Sequence, residues 1–282
     1  ILLGTYSGDV LLAELEGGEV LHSWAPAGSA DAGEAPMHEV TALDFDGEHI
    51  GSGDAGGAVR LRTRQRLAMH AHHDGVVTGV HWRGGARAYT CAADRQLIEW
   101  DVEAGKAVHV LSAARPIICM SVCDNYAALG LDNGKLVLCS LSPLRELFSF
   151  DAHDSAASAV KLVTVSMLVT SSAAGEVALW RLDEEETSSR RCTRFKGHSA
   201  PVVCLDADAE KIVSGSRDGT VRVWDIQKEA MRFMLQGFTA YIGSVQCSPS
   251  WLLADGTNNA VVMMDFSSAG GGEDDGTPSA TS

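Results

Sequence analysis

The sequence predicts an all-β fold in which one short antiparallel unit is repeated seven times. Of the 282 residues, 29 are glycine and only 17 are aromatic, a ratio that indicates many turns. Strand-like runs joined by tight turns recur at a nearly constant spacing, and 45% hydrophobic residues suffice for a sizeable core. Because no stretch keeps apolar residues at helical spacing over several turns, long helices are not expected.

The best-formed unit lies between Lys196 and Ile226. Val202–Asp206 and Lys211–Ser216 are short strand-like runs, and Arg217–Gly219 contains an Asp-Gly pair, which is typical of a tight turn between strands. Val221–Trp224 alternates with the period of two expected for a strand with one buried face. This unit therefore predicts three antiparallel strands in sequence.

The same pattern can be laid over the rest of the chain with Trp224 as the anchor. The equivalent positions are Ala13, Arg62, Trp100, Cys139, Trp180, Trp224 and Met264. Their spacings range from 38 to 49 residues with a mean of about 42. The two longest spacings contain insertions, one rich in Gly, Ala and Pro at Pro26–Pro36 and one charged at Asp183–Arg191.

Four short motifs in the best-formed unit resemble the signature of WD40 repeats. They are Gly197-His198, Ser214–Ser216, Asp218-Gly219 and Trp224-Asp225, and the resemblance extends in weaker form over residues 1 to 266. It implies a seven-bladed β-propeller, in which each repeat is a four-stranded antiparallel sheet, or blade. We expect residues 1–266 to form this propeller and residues 267–282, rich in Gly, Asp and Ser, to form a disordered tail.

The first and last repeats are predicted to be incomplete. The first begins at its second strand, Ile1–Tyr6, and the last stops after its third, Ala260–Phe266. The chain also begins without Met, so we expect it to be a fragment. A segment preceding Ile1 is expected to supply the two missing strands and to close the ring.

The WD40 resemblance implies that the polar residues of a repeat form a hydrogen-bond network inside the blade. In the sixth repeat these are His198, Ser214, Asp218 and Trp224; in the third they are Thr90, Asp94, Trp100 and either His72 or His73. Such a network satisfies buried polar groups, and an enzyme does not usually need its active site twice. We therefore predict structural roles and no catalytic residues.

The fifth repeat keeps three members of this set. They are His153, Thr170 and Trp180, but Ala174 stands where the Asp belongs. The other repeats are more degenerate, so full networks are predicted in two blades only.

Charge and composition exclude several other classes of protein. With 22 Lys and Arg against 37 Asp and Glu, the net charge of −15 disfavours binding to nucleic acid and to anionic membranes. No apolar stretch reaches the roughly 18 residues of a membrane span. The seven cysteines include no CxxC pair and are interpreted as reduced core residues of a cytoplasmic or nuclear protein.

A group of histidines raises the question of a metal site. The four are His70, His72, His73 and His81. We interpret one as the blade histidine and the others as flanking a turn, because no Cys or second cluster supplies tetrahedral ligand spacing. No metal or cofactor is predicted.

A propeller without catalytic residues acts through its surfaces. The residue before each turn Asp is expected to point to the partner-binding face in WD40 proteins; these are Tyr6, Ala55, Ala93, Asp132, Ala173, Arg217 and Thr257. Residues that lead into the first strands add Arg115, Pro201 and Tyr241. Since Arg and Tyr are enriched at binding hot spots, the predicted contact residues are Arg217, Arg115, Tyr241 and Tyr6.

The predicted function is a non-catalytic scaffold that binds a partner protein or peptide. Two alternatives stay open. The run Lys211–Asp225 is similar to repeats of F-box/WD proteins, substrate receptors of cullin-type ubiquitin ligases, in which an Arg at the position of Arg217 contacts a phosphorylated degron. That function would need a cullin adaptor bound through a region preceding Ile1, and several convergent arginines where this chain has Val203 and small or acidic residues. The second alternative, an enzyme with a small ligand in the channel, has no paired carboxylates at a suitable spacing to support it.

Overall fold

The fold of the described residues is all β. The computed structural model describes residues 1–14, 19–25, 38–83, 86–182, 190–238, 242–257 and 260–265. They form 26 strands in seven antiparallel sheets that follow one another along the chain, five with four strands and the first and last with three. The predicted fold class is confirmed: this is a seven-bladed β-propeller with incomplete first and last blades. No helix in the described part of the chain is long and apolar enough to span a membrane.

The chain divides into two compact units. The first comprises Ile1–Met120 and Ser142–Arg145, and the second comprises Ser121–Leu141 and the chain from Glu146 onward. The strands of blades 1 to 3 belong to the first unit: β1 (Leu2–Gly4), β2 (Val10–Ala13), β3 (Val20–Trp24), β4 (Val40–Phe45), β5 (His49–Asp54), β6 (Ala58–Thr63), β7 (Leu67–His72), β8 (Val77–Trp82), β9 (Arg87–Ala92), β10 (Gln96–Asp101) and β11 (Lys106–Ser112).

Blade 4 contributes residues to both units. Its strands are β12 (Ile117–Cys123), β13 (Tyr126–Leu131), β14 (Lys135–Leu141) and β15 (Leu144–Asp151). Blades 5 to 7 belong to the second unit: β16 (Ala157–Thr164), β17 (Met167–Ser172), β18 (Val177–Leu182), β19 (Arg190–Phe195), β20 (Val202–Ala207), β21 (Lys211–Ser216), β22 (Val221–Asp225), β23 (Ala230–Leu235), β24 (Val245–Cys247), β25 (Trp251–Thr257) and β26 (Ala260–Asp265).

The repeat phase predicted from Trp224 is the phase of the structure. All seven anchor positions lie on the strand that follows the tight turn, namely β2, β6, β10, β14, β18, β22 and β26. In blade 6 Trp224 pairs with Ile212 on one side, and on the other side the register shifts between Val223 and Trp224. A shift at the equivalent place occurs between Glu99 and Trp100 in blade 3, so the repeats share an irregularity as well as a pattern.

Tight turns with a left-handed residue connect the second and third strands of blades 1 to 6. The left-handed residues are Gly8, Gly57, Arg95, Gly134, Gly175 and Gly219. At Gly134 a Cβ would lie 2.0 Å from the carbonyl oxygen of His153, so both the conformation and the space require glycine. Arg95 is the exception, with a φ of 73°, and it adopts a conformation that is strained for a residue with a side chain.

Apolar side chains fill the space between neighbouring blades within each unit. In the first unit a cluster joins blades 2 and 3 around Leu61, Val77 and Trp100. In the second unit one cluster joins blades 5 and 6 around Phe195 and Trp224 and another joins blades 6 and 7. Blade 6 packs against blade 5 on one face and blade 7 on the other, which explains why its second strand, Lys211–Ser216, is buried along its length.

Three predictions concern residues outside the described part of the chain. They are the insertion Pro26–Pro36, most of the charged insertion Asp183–Arg191 and the tail 267–282. The assignment of these segments stays a prediction.

Candidate functional site

The polar residues of blade 6 form a continuous hydrogen-bond network. The indole Nε1–H of Trp224 donates to Ser214 Oγ at 2.9 Å, and Ser214 Oγ lies 2.8 Å from His198 Nε2. His198 Nδ1 lies 2.9 Å from a carboxylate oxygen of Asp218. The same carboxylate accepts the backbone N–H groups of Ser199 and Thr220, so it also fixes the tight turn.

The order of these hydrogen bonds is that of a hydrolase triad, but the environment of the hydroxyl is not. A neutral His198 that carries its proton on Nδ1 donates to Asp218 and accepts from Ser214, which in turn accepts from Trp224. Ser214 is 0% exposed, so no substrate can reach its oxygen. Every donor in the chain of bonds has an acceptor, which makes the network a means of satisfying buried polar groups.

Burial and hydrogen bonding set the charges in this network. Burial lowers the pKa of His198 below its ordinary value of 6.5, against the opposing effect of Asp218, and this favours the neutral imidazole. Burial alone raises the pKa of Asp218, but the hydrogen bonds from Thr220 and His198 lower it to about 2. The pair is therefore a neutral histidine and an ionised aspartate near pH 7.

Blade 3 repeats this geometry with a threonine hydroxyl. Trp100 Nε1–H donates to Thr90 Oγ1 at 2.7 Å, Thr90 Oγ1 lies 2.7 Å from His73 Nε2, and His73 Nδ1 lies 2.8 Å from Asp94. Of the two histidines left open by the sequence, His73 is the member of the network. His72 is the last residue of β7 and is exposed, so it takes no part.

Blade 5 holds a third network, of which the sequence predicted three members and not the carboxylate. His153 Nε2 lies 2.8 Å from Thr170 Oγ1, which accepts the indole N–H of Trp180 at 2.9 Å. Glu176, two residues after Ala174, places its carboxylate 3.2 Å from His153 Nδ1. The prediction of full networks in two blades only is wrong, because the longer side chain of Glu176, the residue just before β18, reaches the site that the turn Asp occupies elsewhere.

The grouped histidines have separate surroundings. His70 lies within β7 and His81 within β8, the two strands on either side of the turn at residues 73–76. The ring of His81 lies 3.4 Å from Asp44, and the ring of His73 is engaged in the blade 3 network. The four histidines are thus not brought together.

One end of each blade presents the side chains predicted to bind a partner. We call this end the turn edge and define it by the residue before the tight turn and the residue that leads into the first strand. In four blades the backbone N–H of the former donates to the carbonyl of the latter: Ala55 to Glu39, Ala93 to Val76, Ala173 to Ala156, and Arg217 to Pro201. These hydrogen bonds hold the two positions side by side, with Cβ atoms at a fixed place on the rigid blade.

The structure describes three of the four predicted contact residues, and all three are exposed. Tyr6 is 78% exposed although it is large and apolar over most of its surface. Arg217 and Arg115 are exposed as well, and no carboxylate of a described residue lies within ion-pair distance of Arg217. Tyr241 lies outside the described residues.

The other turn positions carry little side chain. Ala55, Ala93 and Ala173 are small, and Asp132 is half-buried. The structure describes no side chain for Thr257. The exposed large side chains of the turn edges are therefore concentrated at Tyr6 and the arginines.

Comparison with known proteins identifies the repeat directly. The WD domain, G-beta repeat family matches residues 189–225, which span the outer strand of blade 5 and the first three strands of blade 6. The pre-rRNA-processing protein crb3/ipi3 of Schizosaccharomyces pombe is 30% identical over 128 residues, covering 39% of this chain and 29% of that protein. The guanine nucleotide-binding protein G(I)/G(S)/G(T) subunit beta-1 of Homarus americanus is 29% identical over 161 residues, covering 53% of this chain and 44% of its own.

The fold also matches a solved structure. The computationally designed Ika8 protein superposes with a TM-score of 0.69 over 83% of this chain and 73% of the designed chain. The sequence identity is 20%, so this similarity concerns the fold alone. This chain spans less than half the length of the two curated relatives named above.

Proposed function

We propose that this chain, which is a WD-repeat protein, is a non-catalytic scaffold that binds a partner protein or peptide at the turn edges of its blades. WD-repeat propellers typically act as protein-interaction scaffolds. The observation that carries the proposal for this chain is the exposure of Tyr6, at 78%, in the tight turn between β1 and β2. Backbone hydrogen bonds from Thr5 to Asp9 and from Gly8 to Thr5 close this turn, and an aromatic side chain loses little conformational entropy when a partner covers it.

A catalytic function is disfavoured by the state of the hydroxyl groups. Ser214, Thr90 and Thr170 are the hydroxyls that lie beside the Nε2 atom of a network histidine, and each is 0% exposed. Each of them also accepts the N–H of a buried tryptophan. A nucleophile would need an exposed oxygen and a free path for the substrate, and these three have neither.

A narrower function rests on Arg217. We infer that a substrate receptor of the F-box/WD type would use this residue, because a guanidinium group without a carboxylate partner can form a bidentate pair with a phosphate. The neighbouring turn position in the same unit, Ala173, and the paired Pro201 add no further positive charge. A phosphorylated peptide would therefore depend on Arg217 as its main cationic contact, and a cullin adaptor would bind outside the residues described here.

The cysteines support a location in the cytoplasm or the nucleus. None of the seven forms a disulfide, and Cys91, Cys139 and Cys204 are buried. Burial raises the pKa of Cys91 and Cys139 to about 12, so these thiols stay protonated and unreactive in a reducing compartment.

A peptide array tests both functions. Unphosphorylated and phosphorylated copies of each peptide are probed with the wild-type chain, Tyr6→Ala and Arg217→Ala, with Arg232→Ala as the control. Arg232 lies on an outer strand and pairs with Asp225, so its loss should leave peptide binding unchanged. We expect binding that weakens in Tyr6→Ala or Arg217→Ala and not in Arg232→Ala; equal binding by all four chains would contradict the turn-edge proposal.

The same array separates the scaffold from the ubiquitin-ligase receptor. A receptor for phosphorylated degrons should bind the phosphorylated copies selectively and lose this preference in Arg217→Ala. Binding that ignores both phosphate and the substitution removes the receptor function and leaves the general scaffold.

A further inference from the structure

Blade 2 carries an unusual concentration of buried polar atoms without a hydrogen-bond partner. Among the described residues four buried side-chain nitrogen or oxygen atoms lack one, and three of them are Ser52 Oγ, Arg60 Nε and Arg62 Nε. The fourth, on Arg87, lies 3.4 Å from the carboxylate of Glu99. Unsatisfied buried donors cost about 1–3 kcal/mol each and are few in native proteins, so three in one blade require an explanation.

These three side chains lie on the same face of the sheet. Ser52 pairs with Arg60 across β5 and β6, and Arg62 pairs with Ile50, two residues from Ser52. The opposite face of β5 is closed, because a Cβ on Gly51 would lie 2.5 Å from Val80 of blade 3. The polar face is thus the one turned toward blade 1, where Trp24 lies.

Arg62 occupies the position at which the best-formed repeats have tryptophan. It is 8% exposed, and its guanidinium carbon lies 5.7 Å from the ring centroid of Trp24. It makes no hydrogen bond or ion pair with the described residues. A cation–π contact offsets only part of the free energy that a buried, unpaired guanidinium costs.

The other charged groups on this face leave the positive charge of Arg62 uncompensated. Arg60 lies on the same face and pairs with Asp54 at 2.9 Å, and Asp54 is the carboxylate on this face of β5. From the outer strand β7, His70 and His72 face the same way, since they pair with Arg60 and Ala58. Residues 55–73 contain four arginines and no acidic residue, within a chain whose net charge is −15.

We propose that the blade 2 face formed by Ser52, Arg60 and Arg62, with His70 at its rim, binds a phosphate group carried by a side chain of a protein partner. A phosphate monoester is close to a dianion at neutral pH and presents three acceptor oxygens, which match a guanidinium fork and a hydroxyl donor. Its charge compensates the buried cation that the described residues leave unpaired. The Arg60 side chain is 12% exposed and Arg62 is 8% exposed, so the phosphate contacts the exposed parts of these two guanidinium groups first.

A compact phosphate fits these observations better than a nucleic acid does. A polynucleotide extends beyond any single blade, and the net charge of −15 repels its phosphates elsewhere on the protein. One phosphate group on a peptide meets only the local basic face. A carboxylate has one charge and two oxygens, so it should bind more weakly than phosphate.

The test uses the full chain and isolated phosphate probes. Calorimetric titrations at constant ionic strength compare phosphoserine, glutamate and serine, each with blocked ends, and a short single-stranded oligonucleotide. The test variant is Arg62→Trp, which places at this position the residue whose N–H reaches the equivalent hydroxyl in blades 3, 5 and 6. Arg66→Gln is the matched control, because it removes one charge from an exposed residue of the same hairpin.

We expect saturable binding of blocked phosphoserine by the wild-type chain and by Arg66→Gln, within about twofold of each other. Arg62→Trp should bind at least tenfold more weakly while its circular dichroism spectrum stays that of the wild type. Should Arg62→Trp not fold, Ser52→Ala serves as the second variant and is expected to weaken binding in the same direction.

Three results would overturn the proposal. The first is the absence of saturable binding in the wild-type chain, which is the result expected when ordered water alone satisfies these donors. The second is a weakening of phosphoserine binding in Arg66→Gln that equals the weakening in Arg62→Trp. The third is tighter binding of the oligonucleotide or of blocked glutamate than of blocked phosphoserine. The outcome is independent of the turn-edge function, because Arg217→Ala leaves blade 2 unchanged and Arg62→Trp leaves Arg217 in place.

Discussion

Replacement of Trp224 by alanine tests whether the blade network stabilises the fold. The indole is 2% exposed, its ring centroid lies 5.5 Å from that of Phe195 and 6.1 Å from that of His198, and its N–H donates to Ser214. Truncation of a buried aromatic side chain costs about 3–5 kcal/mol. The loss of the indole hydrogen bond adds little to this cost, because the hydroxyl of Ser214 keeps its hydrogen bond to His198.

Trp224→Phe separates packing from hydrogen bonding in the same place. It retains most of the buried ring and removes the N–H, so the expected loss is about 0.5–1.5 kcal/mol. Trp251→Ala serves as the control, because this tryptophan is half-buried and belongs to no network of the described residues. Its loss should be smaller than that of Trp224→Ala.

The assay is equilibrium unfolding in urea, with thermal melting followed by circular dichroism. At about 2–4 °C per kcal/mol for a domain of this size, Trp224→Ala should lower the melting temperature by roughly 6–20 °C. An unchanged melting temperature in Trp224→Ala would refute the assignment of Trp224 to a buried blade network. A loss in Trp251→Ala as large as that in Trp224→Ala would show that the network position has no special weight.

Three further predictions concern the networks and the turns. Glu176→Ala should lower the free energy of unfolding by about 1–2 kcal/mol in urea titrations, and adding Ala174→Asp should restore part of it, since the carboxylate returns to its usual turn position. The pKa of His198 is lowered below 6.5 in the folded chain, so the unfolded chain binds the proton more readily and the free energy of unfolding should fall as the pH drops below 6.5. Asp218, with a pKa of about 2, should add a further loss between pH 3.8 and about 2. A free energy of unfolding that stays constant from pH 7 to pH 5 would contradict the prediction for His198. Arg95→Gly should raise the free energy of unfolding by up to about 1 kcal/mol, because it removes a left-handed conformation from a residue with a side chain. The greater backbone entropy of glycine in the unfolded chain opposes part of this gain. A decrease would show that the arginine makes a compensating contact.

The repeat was predictable because its turns constrain the backbone strongly. A left-handed residue is needed at one place in blades 1 to 6, and glycine fills five of the six positions, so the phase of the repeat is visible in one sequence. Alternation of buried residues then marks the strands on each side of the turn. Turn glycines and the alternation of buried residues both depend on neighbouring positions in the chain, so a single sequence is enough to show them.

The details of the networks depend on reach and packing and were less predictable. Glu176 replaces the turn aspartate because its longer side chain reaches His153 from a position two residues after Ala174, and the length of a side chain does not show in the spacing of the repeat. The choice between His73 and His72 follows from the exact end of β7, and element ends are the part of a strand that a sequence defines least.

The concentration of unpaired donors in blade 2 was also hidden in the sequence. Arg62 was visible as a departure from the repeat, but its burial depends on blade 1 through Trp24. The absence of a partner for Ser52 then follows, since arginine at this position leaves the hydroxyl without the indole N–H that Ser214 receives. Contacts between blades decide these features, and they require the three-dimensional structure.

The most direct test of the central claim, that the turn edges bind the partner, is hydrogen–deuterium exchange with and without a peptide selected on the array. The predicted result is slower exchange at the turn-edge amides, such as those of Ala55, Ala93, Ala173 and Arg217, and unchanged exchange in the outer strands β7, β11, β19 and β23. Protection confined to the outer strands, with the turn edges unchanged, would contradict the account.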